Sequence, residues 1–171
     1  MARLGRALLV VVAVLVVLAV VLGGFGVVTA RRSFPQVTGT LALPGLDKPV
    51  EVYRDAMGVP QVYAQTAHDL FMAQGYIHAQ DRFWQMDFWR HIGSGRLSER
   101  FGESQVETDK FLRAMGWARI AEQEYQAANP ETRTGLEAYA AGVNAYLVGH
   151  KGASLSLEYA ILGLLHPDYT P

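Results

Sequence analysis

The chain has 171 residues, 50% of them hydrophobic, a net charge of −1 and no cysteine. With no basic block outside the N-terminal flanks, the charge balance argues against nucleic-acid binding. The absence of cysteine excludes disulfide stapling and thiolate-bound metal.

The first element is apolar. Residues 7–28 carry no charged or strongly polar side chain, and Arg3 and Arg6 precede them. Such a run exceeds the roughly 20 residues that cross a bilayer as a helix. A cleaved signal peptide is the competing reading, because Val28-Thr29-Ala30 offers a small-residue site just before Arg31-Arg32. The uninterrupted apolar core is long for a signal peptide, which favours an uncleaved anchor. Arginines flank both ends of the run, and Arg3, Arg6 and the free amino group favour a cytoplasmic N-terminus with the remainder outside. Residues 1–32 are therefore read as a membrane anchor or signal segment, and residues 33–171 as a partial globular region. The region is membrane-anchored and extracytoplasmic, or secreted if cleavage follows Ala30.

Strands come next. Residues 31–36 form a linker kept extended by Pro35. Residues 37–43 alternate as a strand ended by Pro44-Gly45, and residues 50–54 form a second strand. Asp55-Ala-Met-Gly58 is a turn signal, and residues 59–64 resume strand chemistry. Arg54 and Asp55 are read as turn residues.

Helices follow. Thr66 is an N-cap with Asp69 at the third helical position, opening a helix that runs to about residue 90. Gly93-Ser94-Gly95 breaks it, and residues 97–101 form a short turn closed by Gly102. A second helix is expected over residues 108–127. Asn129-Pro130-Glu131 restarts a third, with Gly149 as its C-cap. A short apolar segment, residues 155–165, precedes the turn chemistry of residues 166–171. Strands followed by helices make an α+β pattern. Three strands and three helices this rich in aromatics would leave a large apolar surface uncovered, so the domain is read as incomplete.

The helix over residues 70–90 is the central one. Leu70, Ala73, Ile77, Trp84 and Phe88 recur at helical period, and Phe83 and Trp89 spread aromatics onto other faces. Gln74, His78, Asp81 and Gln85 form a polar stripe that needs partners if buried. His78 with Asp81, and Asp87 with His91, have spacing for a shared metal, but neither pair has a third ligand nearby in sequence. Hydrogen-bonded structural roles are the favoured reading. Asp81-Arg82 is read as a structural charge site. Ser94 lacks the flanking glycines of a nucleophile elbow and is assigned to the loop. Asp81 and Asp87 fall on different helix faces, a poor arrangement for paired-carboxylate hydrolysis. No catalytic constellation emerges from the residues.

Three blocks in order carry a resemblance. Val52-Tyr-Arg-Asp-Ala-Met-Gly-Val-Pro60, Ala73-Gln-Gly-Tyr-Ile-His-Ala-Gln-Asp-Arg-Phe-Trp-Gln-Met-Asp87 and Gly95-Arg-Leu-Ser-Glu99 resemble the penicillin acylase (penicillin amidase) family. Tyr139-Ala-Ala-Gly-Val-Asn-Ala145, Leu157-Glu-Tyr159, Leu162-Gly163 and Pro167-Asp-Tyr-Thr-Pro171 extend it. Gln61, Ser156 and Tyr169 stand where the family usually has His, Pro and Trp. The resemblance implies an N-terminal-nucleophile amidohydrolase of αββα fold, cut from a precursor into a short α chain and a longer β chain. The β chain's first Ser is then the nucleophile and its own amino group the base. A calcium ion commonly bridges the chains of such enzymes.

The family's nucleophile is a Ser followed by Asn. Here Ser33, Ser94, Ser98, Ser104, Ser154 and Ser156 are followed by Phe, Gly, Glu, Gln, Leu and Leu. The resemblance thus implies the first part of an α chain, with no catalytic, substrate-binding or metal residue of its own. The expected partners are a β chain and the membrane, not nucleic acid, and calcium belongs to the complete enzyme. The expected reaction of that enzyme is hydrolysis of the side-chain amide of a β-lactam, an acyl-homoserine lactone or a similar acylated amine. The rival expectation is a non-catalytic, membrane-tethered accessory or binding protein that kept the helical layer.

Overall fold

The computed structural model describes residues 2–163; the expected turn chemistry of residues 166–171 and the departure at Tyr169 lie outside them. Helix α1 (Ala2–Arg32) has no acidic residue in its first turn and ends on Arg31 and Arg32. The most apolar 18-residue stretch of its segment Leu9–Arg32 has a mean hydropathy of 3.0, and none of that stretch is buried against the rest of the protein. At 1.5 Å per residue this segment reaches about 36 Å, beyond the roughly 30 Å of a bilayer core. A signal sequence would pass the same test.

A two-stranded antiparallel hairpin follows, β1 (Glu51–Arg54) and β2 (Pro60–Tyr63), with Glu51 opposite Tyr63 and Arg54 opposite Pro60. The third strand expected over residues 37–43 is absent; those residues bend at Thr38 and Gly39 and have no ladder partner among the described residues. Two facts explain this correction. Gly39 sits at φ 98° and interrupts the extended run. Alternation, moreover, specifies a face but not a neighbour to pair with. The turn forms as read: the Asp55 carboxylate accepts from the N–H groups of Met57 and Val59 at 2.9 Å each, and Gly58 takes φ 80°.

Helix α2 (Ala67–Ser94) starts where Thr66 accepts from the Asp69 N–H at 3.0 Å and stops at Gly95, which is left-handed at φ 61°. Arg82, at φ −142° and ψ 23°, kinks it directly after Asp81. Short α3 (Ser98–Phe101) is closed by Gly102. The single helix expected over residues 108–127 is two, α4 (Val106–Met115) and α5 (Trp117–Ala127). Gly116 at φ 75° ends one and begins the other. An isolated glycine in a helical pattern gives no sign of which conformation it takes.

Asn129 caps α6 (Pro130–Gly149) by accepting from the Thr132 N–H at 2.8 Å. Gly149 is the last helical residue, not the cap; His150 takes that place. The His150 ring stacks on Tyr146 at 3.9 Å and its Nδ1 donates to the Tyr146 carbonyl at 2.7 Å. Ser156 caps α7 (Leu157–Ile161).

The α2–α6 pair is the centre of the fold. Ala79 and Phe83 of α2 meet Val143, Tyr146 and Leu147 of α6, with Leu155 and Tyr159 closing the cluster. The two backbones touch through glycines. A Cβ on Gly75 would overlap the Tyr139 carbonyl, and one on Gly142 would overlap the Met72 carbonyl.

Candidate functional site

The polar stripe expected on α2 does not form a buried site. His78 and Gln85 are exposed, and Gln74 and Asp81 are half-buried. His78 Nδ1 lies 3.0 Å from the Tyr139 hydroxyl. The buried polar side chains of α2 are instead Asp69, Gln80, Asp87 and His91. Of the two aromatics read onto other faces of this helix, Phe83 is buried and Trp89 is 66% exposed.

Four knots organise these groups. In the first, the Arg54 guanidinium grips Asp81 with both arms, Nη1 to Oδ2 and Nη2 to Oδ1 at 2.8 Å each. Nη1 also donates to the Gly58 carbonyl at 3.0 Å. Gln80 Nε2 donates to the Gln36 carbonyl at 3.3 Å. Asp81 therefore pairs with Arg54 across 27 positions and not with its neighbour Arg82, which is exposed. Arg54 is correspondingly more than a turn residue: it clamps the hairpin onto α2. Two parallel charge-assisted bonds at a half-buried site are among the stronger polar contacts. Asp81→Asn is expected to cost about 2 kcal/mol and to speed amide hydrogen exchange in β1 and β2 selectively; unchanged hairpin protection would contradict the clamp.

In the second knot the Asp87 carboxylate, fully enclosed, accepts from the Tyr159 hydroxyl at 2.6 Å and is ion-paired with Arg100 Nη2 at 3.1 Å. His91 Nδ1 donates to the Asp87 carbonyl at 2.7 Å and stands 3.4 Å from its Oδ1. Burial first, then donation to Asp87, push the Tyr159 hydroxyl well above the usual tyrosine range. His91 Nε2, without a hydrogen-bond partner among the described residues, points toward Glu99 at 3.9 Å. The spacing that suggested an Asp87–His91 metal pair thus serves a structural charge centre. Tyr159 and Arg100 gave no sequence signal for it, Tyr159 lying 72 positions from Asp87.

Asp69 and Asp109 make the other two knots. Asp69 Oδ1 accepts from the Asp47 N–H at 2.8 Å. Asp109 accepts from the N–H groups of Leu97 and Ser98 at 2.7 and 2.8 Å. Burial alone would raise both carboxyls. Donation to Asp69 from the Asp47 N–H, Thr66 and His68, and to Asp109 from Ser98 and the Leu97 N–H, outweighs it and holds both below the usual range. A depressed carboxyl stabilises the fold above its unfolded value near pH 4 and loses that contribution as pH falls through its folded value. Urea midpoints measured from about pH 6 downward should therefore fall below about pH 4, and Asp109→Asn should flatten part of that fall. An Asp109→Asn profile identical to the parent's would contradict this.

Asp47, His68 and Asp69 bring three ligand atoms within 4.8 Å of one another. They poorly suit the calcium that the resemblance implies. Calcium takes six to eight oxygens, one of these ligands is an imidazole, and Asp69 Oδ2 is completely enclosed without a hydrogen-bond partner.

The serines are occupied locally, and Ser94, read as a loop residue, lies instead in the last turn of α2. Ser33 donates to the Ala30 carbonyl, Ser94 to Arg90, Ser104 to Phe101 and Ser154 to Lys151. Ser156 caps α7, and Ser98 contributes to the Asp109 knot. A cavity of about 390 Å³ lies between residues 36–46, β1 and α2, walled by Leu41, Leu43, Val52, Tyr76 and Ile77 with Arg54 and Gln80 at its polar side. Among the described residues its hydroxyl groups are those of Thr38, Thr40, Tyr53 and Tyr76, and no serine lines it.

Comparison with known proteins places this arrangement. The penicillin amidase family profile matches residues 49–171. The chain is 39% identical over 141 residues to penicillin acylase 2 proenzyme of Pseudomonas sp. (strain SE83), covering 82% of this chain and 18% of that protein. It is 40% identical over 118 residues to the acyl-homoserine lactone acylase QuiP of Pseudomonas fluorescens (strain Pf0-1), covering 69% of this chain and 14% of the relative. Among solved structures, a thermostable penicillin G acylase from Alcaligenes faecalis superposes with a TM-score of 0.60 at 32% identity, over 72% of this chain and 64% of that one. The chain thus spans under a fifth of the length of these two curated relatives. By profile, identity and fold, the chain belongs to the penicillin amidase family.

Proposed function

We propose that this chain is the α-side scaffold of an acylase-type amidohydrolase, completed by a β segment whose N-terminal Ser attacks the side-chain amide of a β-lactam, an acyl-homoserine lactone or a similar acylated amine. The observation that carries the reading is the match to penicillin and acyl-homoserine lactone acylases across most of this chain. The chain's own geometry supports it. Its buried carboxylates are held in knots, its serines are hydrogen-bonded locally, and exposed Trp89, Phe111, Ile120 and Leu136 offer apolar area to a further segment. In this reading the chain positions and covers, and the partner segment performs nucleophilic catalysis with its own amino group as base. Calcium is proposed to belong to the completed enzyme, at ligands supplied beyond the knots described above. Helix α1 is proposed to hold the assembly at the outer face of the membrane.

The test is a chimera. The aligned segment of the Pseudomonas sp. penicillin acylase 2 proenzyme is replaced by this chain's counterpart, and hydrolysis of the parent's acyl-amide substrate is measured. The chimera is expected to mature and hydrolyse it, and this chain alone is expected not to. A chimera that folds like its parent yet releases no product would favour the non-catalytic accessory protein.

A further inference from the structure

We infer that the edge of the domain formed by the end of α6, the 3₁₀ turn Gly152–Ser154 and α7 rests in the headgroup layer of the bilayer that α1 crosses. The proposed partner of this edge is a lipid surface, and the inference rests on the reading of α1 as an uncleaved anchor.

The first observation is the way α1 meets the domain. Its end packs against the turn Gly152–Ser154 and against α7. Thr29, Ala30 and Ser33 are half-buried there, whereas the apolar length before them is exposed. Ser33 shares a small cavity with Leu155, Ser156, Leu157 and Glu158. The domain therefore has no free linker at this point. Whichever surface surrounds the end of α1 is carried to the membrane with it.

The second observation is what that surface displays. Val148 is 84% exposed and Ile161 73%, with Leu157 and Leu162 partly exposed beside them. Phe34, just past α1, is 70% exposed. Single exposed apolar residues are ordinary, but these gather where a spanning helix leaves the bilayer. An interfacial segment buries such a face roughly 5–10 Å into the headgroup boundary.

Charge agrees. Arg31, Arg32 and Lys151 are exposed around the same point, where they can meet lipid phosphates. Across residues 148–163 the one carboxylate is Glu158. The acidic residues of α6, Glu131 and Glu137, sit in its first half, and 20 residues of helix put its ends about 30 Å apart. Glu122 and Glu124 lie on α5. The α1 end thus displays apolar and basic residues, and the carboxylates lining the cavity that Ser33 shares are Glu158 and the Arg54-paired Asp81.

Because the chain has no cysteine, single-cysteine labelling tests this directly. The full chain carrying Leu18→Cys, Met57→Cys, Val148→Cys or Ile161→Cys is labelled with an environment-sensitive fluorophore. Each is reconstituted into vesicles of zwitterionic and anionic phospholipid, with nitroxide quenchers on the lipid chains or in the water. Labels at 148 and 161 are expected to emit blue-shifted and to be severalfold more quenched from lipid than a label at 57, in the hairpin turn. A label at 18 should be quenched from lipid most of all. If 18 is quenched from lipid while 148 and 161 behave like 57, the docked edge is overturned and the crossing helix stands. If 18 is reached by the aqueous quencher, the anchor reading fails and takes the docked edge with it.

Discussion

Gly142→Ala is expected to lower the urea midpoint of the full chain, followed by tryptophan fluorescence in micelles, by the equivalent of more than about 3 kcal/mol. Ordinary overpacking costs about 1–3 kcal/mol because neighbouring side chains can rotate away. Here the added methyl meets the Met72 carbonyl and approaches the Tyr76 N–H, both in the backbone of α2. Relief requires the helices to separate, which opens the cluster of Ala79, Phe83, Val143, Tyr146 and Leu147. Gly75→Ala should act alike, through the Tyr139 carbonyl. The control is Gly149→Ala in the same helix, where no atom lies within 4 Å. That change should be neutral or stabilising by up to about 1 kcal/mol, since alanine is the better helix former. Equal effects at 142 and 149 would mean the close crossing is not what the glycine serves.

Asp87→Ala is expected to cost about 3–5 kcal/mol, the usual effect of removing one partner from a buried charge pair. The loss is asymmetric. The Arg100 side chain is 12% exposed and His91 is 2% exposed, so neither recovers water easily once the carboxylate is gone. Tyr159, fully buried, would lose the acceptor for its hydroxyl. Tyr159→Phe alone should cost less, about 1–3 kcal/mol, because Arg100 still holds the carboxylate. The double variant should cost less than the sum, since both substitutions remove one shared bond. Strict additivity would place the two side chains in separate networks.

What was legible in the sequence was local. Thr66 before Asp69, Asn129-Pro130 and Gly102 after the short helix each act within a few residues of themselves, and each sits where its chemistry put it; the break read at Gly93-Ser94-Gly95 falls at Gly95 alone, because α2 runs on through Gly93 and Ser94. The hairpin turn follows from Asp55 and Gly58 in the same way. What was not legible depends on a distant partner. Residues 37–43 alternate like a strand, but no neighbouring strand takes up their backbone groups. Gly116 divides a helix that periodicity alone would continue. Arg54 reads as a turn residue until the fold brings Asp81 to it across 27 positions. The Asp87 knot needs Tyr159 from the far end of the described chain. The family motifs did carry the assignment, because the block from Ala73 to Asp87 holds both the core face of α2 and the acidic ends of two knots.

In the proposed function the polar residues of α2 build a scaffold, and the partner segment performs the chemistry. The most direct measurement is the kinetics of Asp87→Asn in the chimeric acylase, with kcat referred to the concentration of matured, folded enzyme. A scaffold role predicts less folded enzyme and a lower melting temperature with kcat per folded molecule unchanged. Unchanged folding with a collapsed kcat would contradict it and move Asp87 into the reaction.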